Sequence, residues 1–169
     1  MLRLNNEKFK PNDKLKPLET HQTATGFVFN EDMTKVLLIH HKKLNKWLGP
    51  GGHVDQDEMP HMAVAREIQE EVGLEVEFLK HPQISPNLNE DTEWLVPTPY
   101  VTMLQYIPQN KDQPEHYHYD FSYLMVAIEL GLSANVTELK GVGWFTLEEV
   151  KKLDTFNIVQ SICNELMQE

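Results

Sequence analysis

Residues 52–74 read GHVDQDEMPHMAVAREIQEEVGL, and this stretch carries the strongest structural signals in the chain. Its central part predicts a helix over residues 60–72. Pro60 suits the first turn of a helix, where a missing backbone N–H removes no hydrogen bond. Gly73 suits the position just after the last turn, where a left-handed backbone is needed. The stretch therefore predicts a loop, a helix of about three turns and a sharp stop.

The two faces of this predicted helix differ in chemical character. At about 100° per residue one face is apolar and is expected to pack on a sheet; it comprises Met62, Ala65, Ile68 and Val72. The roughly opposite face carries three neighbouring carboxylates, from Glu67, Glu70 and Glu71. Like charges at these spacings destabilise a helix by about 0.2–0.5 kcal/mol per pair, and a bound divalent cation would turn that repulsion into coordination. The alternative is a solvated acidic face, which is common.

Alternating and continuous apolar runs predict strands on both sides of the helix. The predicted strands cover residues 23–29, 35–41, 76–80, 100–107, 116–129 and 143–145. A Gly- and Pro-rich loop is expected over residues 47–54, an irregular segment over 81–99, and two helices over 146–153 and 155–168. Strands around a helix, followed by strands and then helices, predict an α/β fold with a mixed sheet between helical layers.

Composition and charge narrow the classes of function. With 169 residues the chain fits one folded domain, expected over residues 21–169 and preceded by an arm over residues 1–20. The formal net charge of −11 argues against binding of duplex nucleic acid. No apolar run approaches the roughly 20 residues that span a bilayer, so we expect no membrane partner. The single cysteine, Cys163, allows no internal disulfide and favours a cytoplasmic location.

The stretch 52–74 resembles the Nudix signature G-x5-E-x7-R-E-U-x-E-E-x-G-U, in which U is aliphatic, and we refer to it as the Nudix box. Every fixed position is met, by Gly52, Glu58, Arg66, Glu67, Ile68, Glu70, Glu71, Gly73 and Leu74. Seven exact letters would match by chance on the order of 10⁻⁹ times per window. The preceding Gly51 and the Trp144-Phe145 pair before a capping box are also typical of the family. The order of elements agrees with the family over about residues 21–155.

The resemblance implies a Nudix-type α/β/α sandwich around a mixed β-sheet, with Mg²⁺ or Mn²⁺ as cofactor. Its implied metal ligands are Glu67, Glu70, Glu71 and the backbone carbonyl of Gly51. Glu58 and Arg66 would orient these glutamates, a supporting role around the metal. Glu67 is the first choice for the general base. A glutamate from a later loop, Glu93 or Glu115, is the alternative.

The implied function is hydrolysis of a phosphoanhydride bond in a nucleoside diphosphate-linked substrate. A nucleoside triphosphate or an oxidised nucleotide is the first expectation; a nucleotide sugar, ADP-ribose or a dinucleotide polyphosphate is the second. A different class of function is a non-catalytic nucleotide-binding Nudix domain. Isopentenyl diphosphate isomerases share the fold but need a cysteine in the pocket, and Cys163 lies in the predicted terminal helix. A homodimer is expected by analogy only.

Two further groups of residues are candidates for substrate binding. Along the predicted strand 116–129, a period of two places His116, His118 and Asp120 on one face. These side chains are candidates for contacting substrate, for binding a separate transition metal, or for a purely structural role. Trp94, in the irregular acidic segment, is a candidate for stacking on a nucleobase, and its alternative role is to cover local core.

Overall fold

The computed structural model describes residues 15–79, 88–89, 91–133 and 139–167. Within these ranges the chain forms eight strands and three helices. They are β1 (Thr20–Phe29), β2 (Lys35–His41), β3 (Lys46–Leu48), β4 (Gly51–His53), α1 (Pro60–Val72), β5 (Val76–Phe78), β6 (Val101–Ile107), β7 (His116–Ala127), β8 (Leu139–Thr146), α2 (Leu147–Val150) and α3 (Asn157–Leu166). None of the described helices is long and apolar enough to cross a bilayer.

The eight strands form one mixed sheet in which β1 and β7 are the central pair. They run parallel over the whole length of β1, with His21 opposite His118 and Phe29 opposite Val126. All other pairs are antiparallel, including the predicted hairpin of β1 and β2. The mixed sheet that the sequence predicts is therefore confirmed.

Alternation along the central strands creates a core on each side of the sheet. Ala24 and Val28 of β1 face α1, whereas Phe27 and Phe29 face the layer formed by α2 and α3. The core on the α1 side includes the buried helix residues Ala63, Val64, Ile68 and Val72. The core on the other side includes Leu147, Val150, Val159, Ile162 and Cys163. Two helical layers around one sheet make the α/β/α sandwich, as expected.

The predicted bounds of α1 are confirmed, but its predicted apolar face is partly wrong. Met62 is 52% exposed, whereas Val64 and the carboxylate-bearing Glu71 are buried. The helix lies so close to β1 that a side chain at Gly26 would contact Ile68 and Val64. These short contacts set the rotation of the helix about its axis, and tertiary packing thus overrides the approximate periodicity of the sequence.

Smaller differences concern the segments around the core. The predicted loop over residues 47–54 contains β4 and the end of β3, because Gly51 and Gly52 pair with β1 while Trp47 and Leu48 pair with β2. The strand predicted over 143–145 extends to Leu139–Thr146, and the helix predicted over 146–153 is shorter, at Leu147–Val150. The described parts of the predicted irregular segment form no helix or strand; residues 81–87 and 90 lie outside them. Most of the predicted arm, residues 1–14, also lies outside the described residues.

Candidate active site

Arg66 holds the acidic side of α1 together. Its Nε and Nη2 atoms donate to the two carboxylate oxygens of Glu58, at 3.0 and 2.9 Å. Its Nη1 donates to Glu67 at 2.9 Å and to Glu70 at 3.2 Å, and Nη2 also donates to the carbonyl of His53. The two parallel hydrogen bonds to Glu58 fix the plane of the guanidinium. Arg66 therefore ties the helix to the loop that precedes it.

The Glu58–Arg66 pair is also strong electrostatically. The hydrogen bond from Arg66 holds the pKa of the Glu58 carboxyl below its usual range, although burial acts in the opposite direction. The same contact raises the pKa of Arg66 further above its ordinary value. Both groups are therefore charged at neutral pH, and they form an ion pair at 2.9 Å in which 29% of the Arg66 side chain and 14% of the Glu58 side chain are exposed.

Glu67 is positioned by the absence of a side chain at Gly52. A Cβ atom at residue 52 would lie 2.4 Å from Oε1 of Glu67 and 2.5 Å from its Cδ. Only 18% of the Glu67 side chain is exposed, and Arg66 donates to its Oε1. The glycine thus provides the space in which this carboxylate lies beside β4.

Glu71 is buried although it carries a carboxylate. It is only 4% exposed, and the backbone N–H of Gly51 donates to its Oε2 at 3.0 Å. The rotation of α1 that buries Val64 also turns Glu71 inward, towards β4. The structure therefore brings Gly51, Glu67 and Glu71 to one place, where the glycine strand meets the helix.

The charge balance of this region suits a divalent cation. Four carboxylates lie between 2.9 and 3.9 Å from the single guanidinium of Arg66; they belong to Asp55, Glu58, Glu67 and Glu70. Glu70 is 59% exposed, so the acidic group opens to solvent on one side. Carboxylate and carbonyl oxygens are the ligands that Mg²⁺ and Mn²⁺ prefer. The donor set fits such an ion.

The two alternative bases, Glu93 and Glu115, each have hydrogen-bond partners of their own. Glu93 accepts the backbone N–H of Asn89 at 2.7 Å. Glu115 accepts from the Tyr106 hydroxyl and from the Lys16 ammonium, and these hydrogen bonds lower the pKa of its carboxyl. Among the described residues, Arg66 donates a hydrogen bond to Glu67 but to neither Glu93 nor Glu115.

The strand face of His116, His118 and Asp120 divides into two parts. Nε2 of His116 lies 3.1 Å from Nε2 of His118. Asp120, in contrast, is buried and accepts hydrogen bonds from the hydroxyls of Thr23, Thr25 and Ser122 at 2.7–2.9 Å. Parallel pairing places Thr23 and Thr25 of β1 beside this carboxylate, and Ser122 of β7 supplies the third hydroxyl.

Two more histidines, His21 and His53, join this face. The ring of His21 lies 4.7 Å from that of His116, and the ring of His53 lies 5.1 Å from that of His118. Burial and the neighbouring imidazoles lower the pKa of His118 to about 4, and burial lowers that of His53 as well. Sequence reasoning missed both residues, because the predicted first strand began at residue 23 and His53 fills a variable position of the box. No local sequence signal points to His21, because its place beside His118 depends on the parallel pairing of β1 with β7.

Trp94 lies on the surface. Its side chain is 73% exposed, so the prediction that it covers local core is wrong. A large aromatic ring in this position leaves a flat apolar surface open to solvent, as a stacking residue requires.

Comparison with known proteins agrees with this geometry. The NUDIX domain model matches residues 19–162. A NUDIX-family hydrolase from Clostridium perfringens is 31% identical, with a TM-score of 0.70 over 86% of this chain and 95% of that one. A C. elegans Ap4A hydrolase shares the fold at 16% identity, with a TM-score of 0.59 over 86% of this chain and 93% of that one.

A Xenopus laevis protein, nucleoside diphosphate-linked moiety X motif 6, is 41% identical over 68 residues. These residues cover 38% of this chain and 31% of that protein, so the match spans about a third of the relative's length. The family model, in contrast, extends over most of the chain and includes the whole acidic helix and its glycine strand. The chain therefore belongs to the Nudix hydrolase family.

Proposed function

We propose that this chain hydrolyses a phosphoanhydride bond in a nucleoside diphosphate-linked substrate, with Mg²⁺ or Mn²⁺ as cofactor. The observation that carries the proposal is the meeting of Glu67 and Glu71 with the glycines of β4, braced by Arg66. Glu67, Glu70, Glu71 and the carbonyl of Gly51 would hold the cation. When bound, it would neutralise charge on the diphosphate and lower the pKa of an attacking water.

In this proposal Glu67 is the general base that accepts the proton of the attacking water. The position of the Glu67 carboxylate supports this role. Arg66 donates a hydrogen bond to it, and it occupies the space that a side chain at residue 52 would fill. A base must lie within hydrogen-bond reach of the proton that it takes, and a fixed carboxylate meets that need better than one on a mobile side chain. Glu58 acts through Arg66 and is a positioning residue.

The first choice of substrate is a nucleoside triphosphate or an oxidised nucleotide. Nucleotide sugars, ADP-ribose and dinucleotide polyphosphates are the second choice, and the name of the C. elegans relative supports keeping the last group in a test. Trp94 is our proposal for a stacking partner of the base, because its ring is exposed. Asp120 is now proposed to be structural, since three hydroxyls surround it.

We also propose a cytoplasmic enzyme without a membrane or duplex nucleic acid partner. The single cysteine, Cys163, is buried and free, so an oxidising compartment would add no internal crosslink. The net charge of −11 acts against binding of a nucleic acid backbone. A homodimer is proposed by analogy with the family.

The test is release of phosphate and pyrophosphate from a nucleotide panel in the presence of Mg²⁺. The panel contains dNTPs, oxidised dGTP, ADP-ribose, UDP-sugars and diadenosine polyphosphates. We expect turnover of one class, and a loss of at least about 100-fold in kcat for Glu71→Gln. Glutamine keeps the shape of the side chain and an acceptor for the Gly51 N–H but removes the charge that binds the metal.

Glu77→Gln is the matched control, because it removes one exposed glutamate charge from β5. It should keep the turnover of the wild type. Turnover that survives Glu71→Gln would overturn the proposed metal site. No turnover of any class, together with a nucleotide-dependent rise in Tm, would instead support the non-catalytic nucleotide-binding class of Nudix domain.

A further inference from the structure

Three histidines from two neighbouring strands lie close together outside the carboxylate group. They are His21 of β1 and His116 and His118 of β7, which we name the histidine cluster. One possible ligand nitrogen from each lies within 4.8 Å of the other two. The parallel register of β1 and β7 places His21 opposite His118, and His116 is buried beneath both.

The hydrogen bonds of His116 define which nitrogen faces the cluster. Its Nδ1 lies 2.8 Å from the carbonyl of Pro114, which can only accept, so Nδ1 carries the proton. In the neutral ring Nε2 then carries a lone pair, which accepts from Nε2 of His118 at 3.1 Å and could bind a metal instead. Two imidazole ligands of one tetrahedral ion lie about 3.3–3.4 Å apart, given metal–nitrogen bonds of about 2.0–2.1 Å. The pair is therefore already close to the spacing that a metal needs.

His21 has one nitrogen occupied and one available. Its Nε2 lies 3.3 Å from a carboxylate oxygen of Glu19. Its Nδ1 is buried and, among the described residues, has no hydrogen-bond partner. An imidazole that donates one N–H to a carboxylate and binds a metal through the other nitrogen is a common arrangement around zinc. A buried ring nitrogen without a partner otherwise carries a desolvation cost.

We propose that His21, His116 and His118 bind one transition-metal ion of the Zn²⁺ class, at a site separate from the carboxylates of the Nudix box. Imidazole nitrogen suits Zn²⁺, Co²⁺ and Ni²⁺, whereas Mg²⁺ prefers oxygen. Three protein ligands leave a fourth position open. Beside the cluster lies a surface pocket that His21 shares with Gln22, His53, Val54 and Gln113, from which a water or a substrate group can reach the ion.

Binding requires only a modest movement of side chains. The three nitrogens lie within 4.8 Å of one another, so no separation must shorten by more than about 1.5 Å to reach tetrahedral spacing. His116 is fixed by burial, but His21 and His118 are partly exposed and can rotate towards it. Glu19, on the surface beside His21, can follow the ring without leaving solvent.

The experiment measures Zn²⁺ binding to untagged, metal-free protein in excess Mg²⁺, which occupies the carboxylates. Zn²⁺ affinity is determined by competition with a chromophoric chelator, and Co²⁺ is added separately to record its visible absorption bands. The variants are His21→Asn and His118→Asn, which change partly exposed rings and leave the buried His116 in place. His61→Gln, on α1 and outside the cluster, is the matched control. Glu71→Gln tests whether Zn²⁺ binds at the carboxylates of the Nudix box instead.

We expect one equivalent of Zn²⁺ and a loss of affinity of at least about tenfold in each cluster variant. His61→Gln and Glu71→Gln should retain the affinity of the wild type. Wild-type protein that binds no Zn²⁺, or that binds it as tightly after either cluster substitution, would overturn the proposal. Loss of Zn²⁺ binding in Glu71→Gln alone would also overturn it, because the ion would then belong to the box. Circular dichroism establishes that each variant is folded, and absence of Zn²⁺ binding to the wild type would overturn the proposal without any variant.

Discussion

Arg66 and Gly52 act on the same carboxylate in different ways. Arg66 donates a hydrogen bond to Glu67, and Gly52 leaves the space in which that carboxylate lies. The first interaction restrains the side chain, and the second allows it to approach β4. The position of Glu67 therefore depends on one residue with a long polar side chain and on one with none.

We predict that Gly52→Ala lowers kcat by about 100-fold while Tm changes little. The added methyl would overlap the carboxylate of Glu67, which is the flexible end of a side chain and can move aside. Displacement of a reacting group by about 1 Å is enough for a loss of that size. Steady-state kinetics and thermal unfolding with Mg²⁺ measure the two effects.

Gly131→Ala is the control for this substitution, because a Cβ atom at residue 131 would meet nothing within 4 Å. It should leave both kcat and Tm as in the wild type. Wild-type kcat in Gly52→Ala would show that the position of Glu67 is not critical to the reaction.

At the scale of elements, the rotation of α1 determines both its packing and its chemistry. Val64 and Ile68 contact β1 through the space at Gly26, so the helix axis lies close to the sheet. This rotation buries Glu71 and leaves Met62 exposed. One packing contact thus selects which glutamate lies inside and which apolar residue lies outside.

We predict that Ile68→Ala lowers the free energy of unfolding by about 2–5 kcal/mol, because it removes a buried side chain and leaves a cavity. Met62→Ala should change it by less than about 0.5 kcal/mol, since the side chain is half exposed. Ile has a lower helix propensity than Met, so propensity alone would make Ile68→Ala the less destabilising of the two. Denaturant unfolding measures the difference. Equal losses would mean that Met62 packs on the sheet, as its spacing suggested.

Across the molecule, the sheet separates two hydrophobic cores, and only the one on the α1 side lies beneath the proposed metal carboxylates. The core below α1 supports the acidic side of the helix, and the core below α2 and α3 contains no residue that we place in either proposed site. Cys163 lies in this second core and is fully buried. Its thiol therefore reports on opening of the α3 layer.

We predict that Cys163 is inert to an aromatic disulfide reagent at pH 8 in the folded protein. Burial raises the pKa of its thiol to about 12, so the thiolate fraction at pH 8 is on the order of 10⁻⁴. The Cys163 thiol has a lower pKa in the unfolded chain than in the folded protein, so it ionises first in the unfolded chain as pH rises. Ionisation of Cys163 therefore lowers the free energy of unfolding above about pH 9. Release of the reagent's chromophore measures the reaction rate.

Asn164→Cys, at the exposed neighbouring position of α3, provides the matched control. It should add one thiol that reacts fast, while Cys163 reacts only after addition of denaturant. Rapid reaction of Cys163 in the folded wild type would contradict its place in the core.

Much of the architecture follows from the local sequence. The apolar run of β2, Pro60 and Gly73 at the ends of α1, and the capping box of Thr146 and Glu149 all depend on neighbours in the chain. These features respond to backbone geometry and short-range hydrogen bonds, which are the same wherever the segment lies. For that reason their positions could be predicted, and so could the spacing of the box glutamates along one helix.

Local patterns and the spacing of the box predicted the fold class, the bounds of α1 and the carboxylates that we propose to bind metal. The burial of Glu71, the hydroxyls of Thr23 and Thr25 beside Asp120, and the approach of His21 to His116 and His118 became visible only in the folded chain. Each of these outcomes depends on contacts between residues far apart in the chain, chiefly the parallel pairing of β1 with β7. Periodicity gives the angle of a residue about its own helix or strand, but the neighbouring layer determines which angle faces inward.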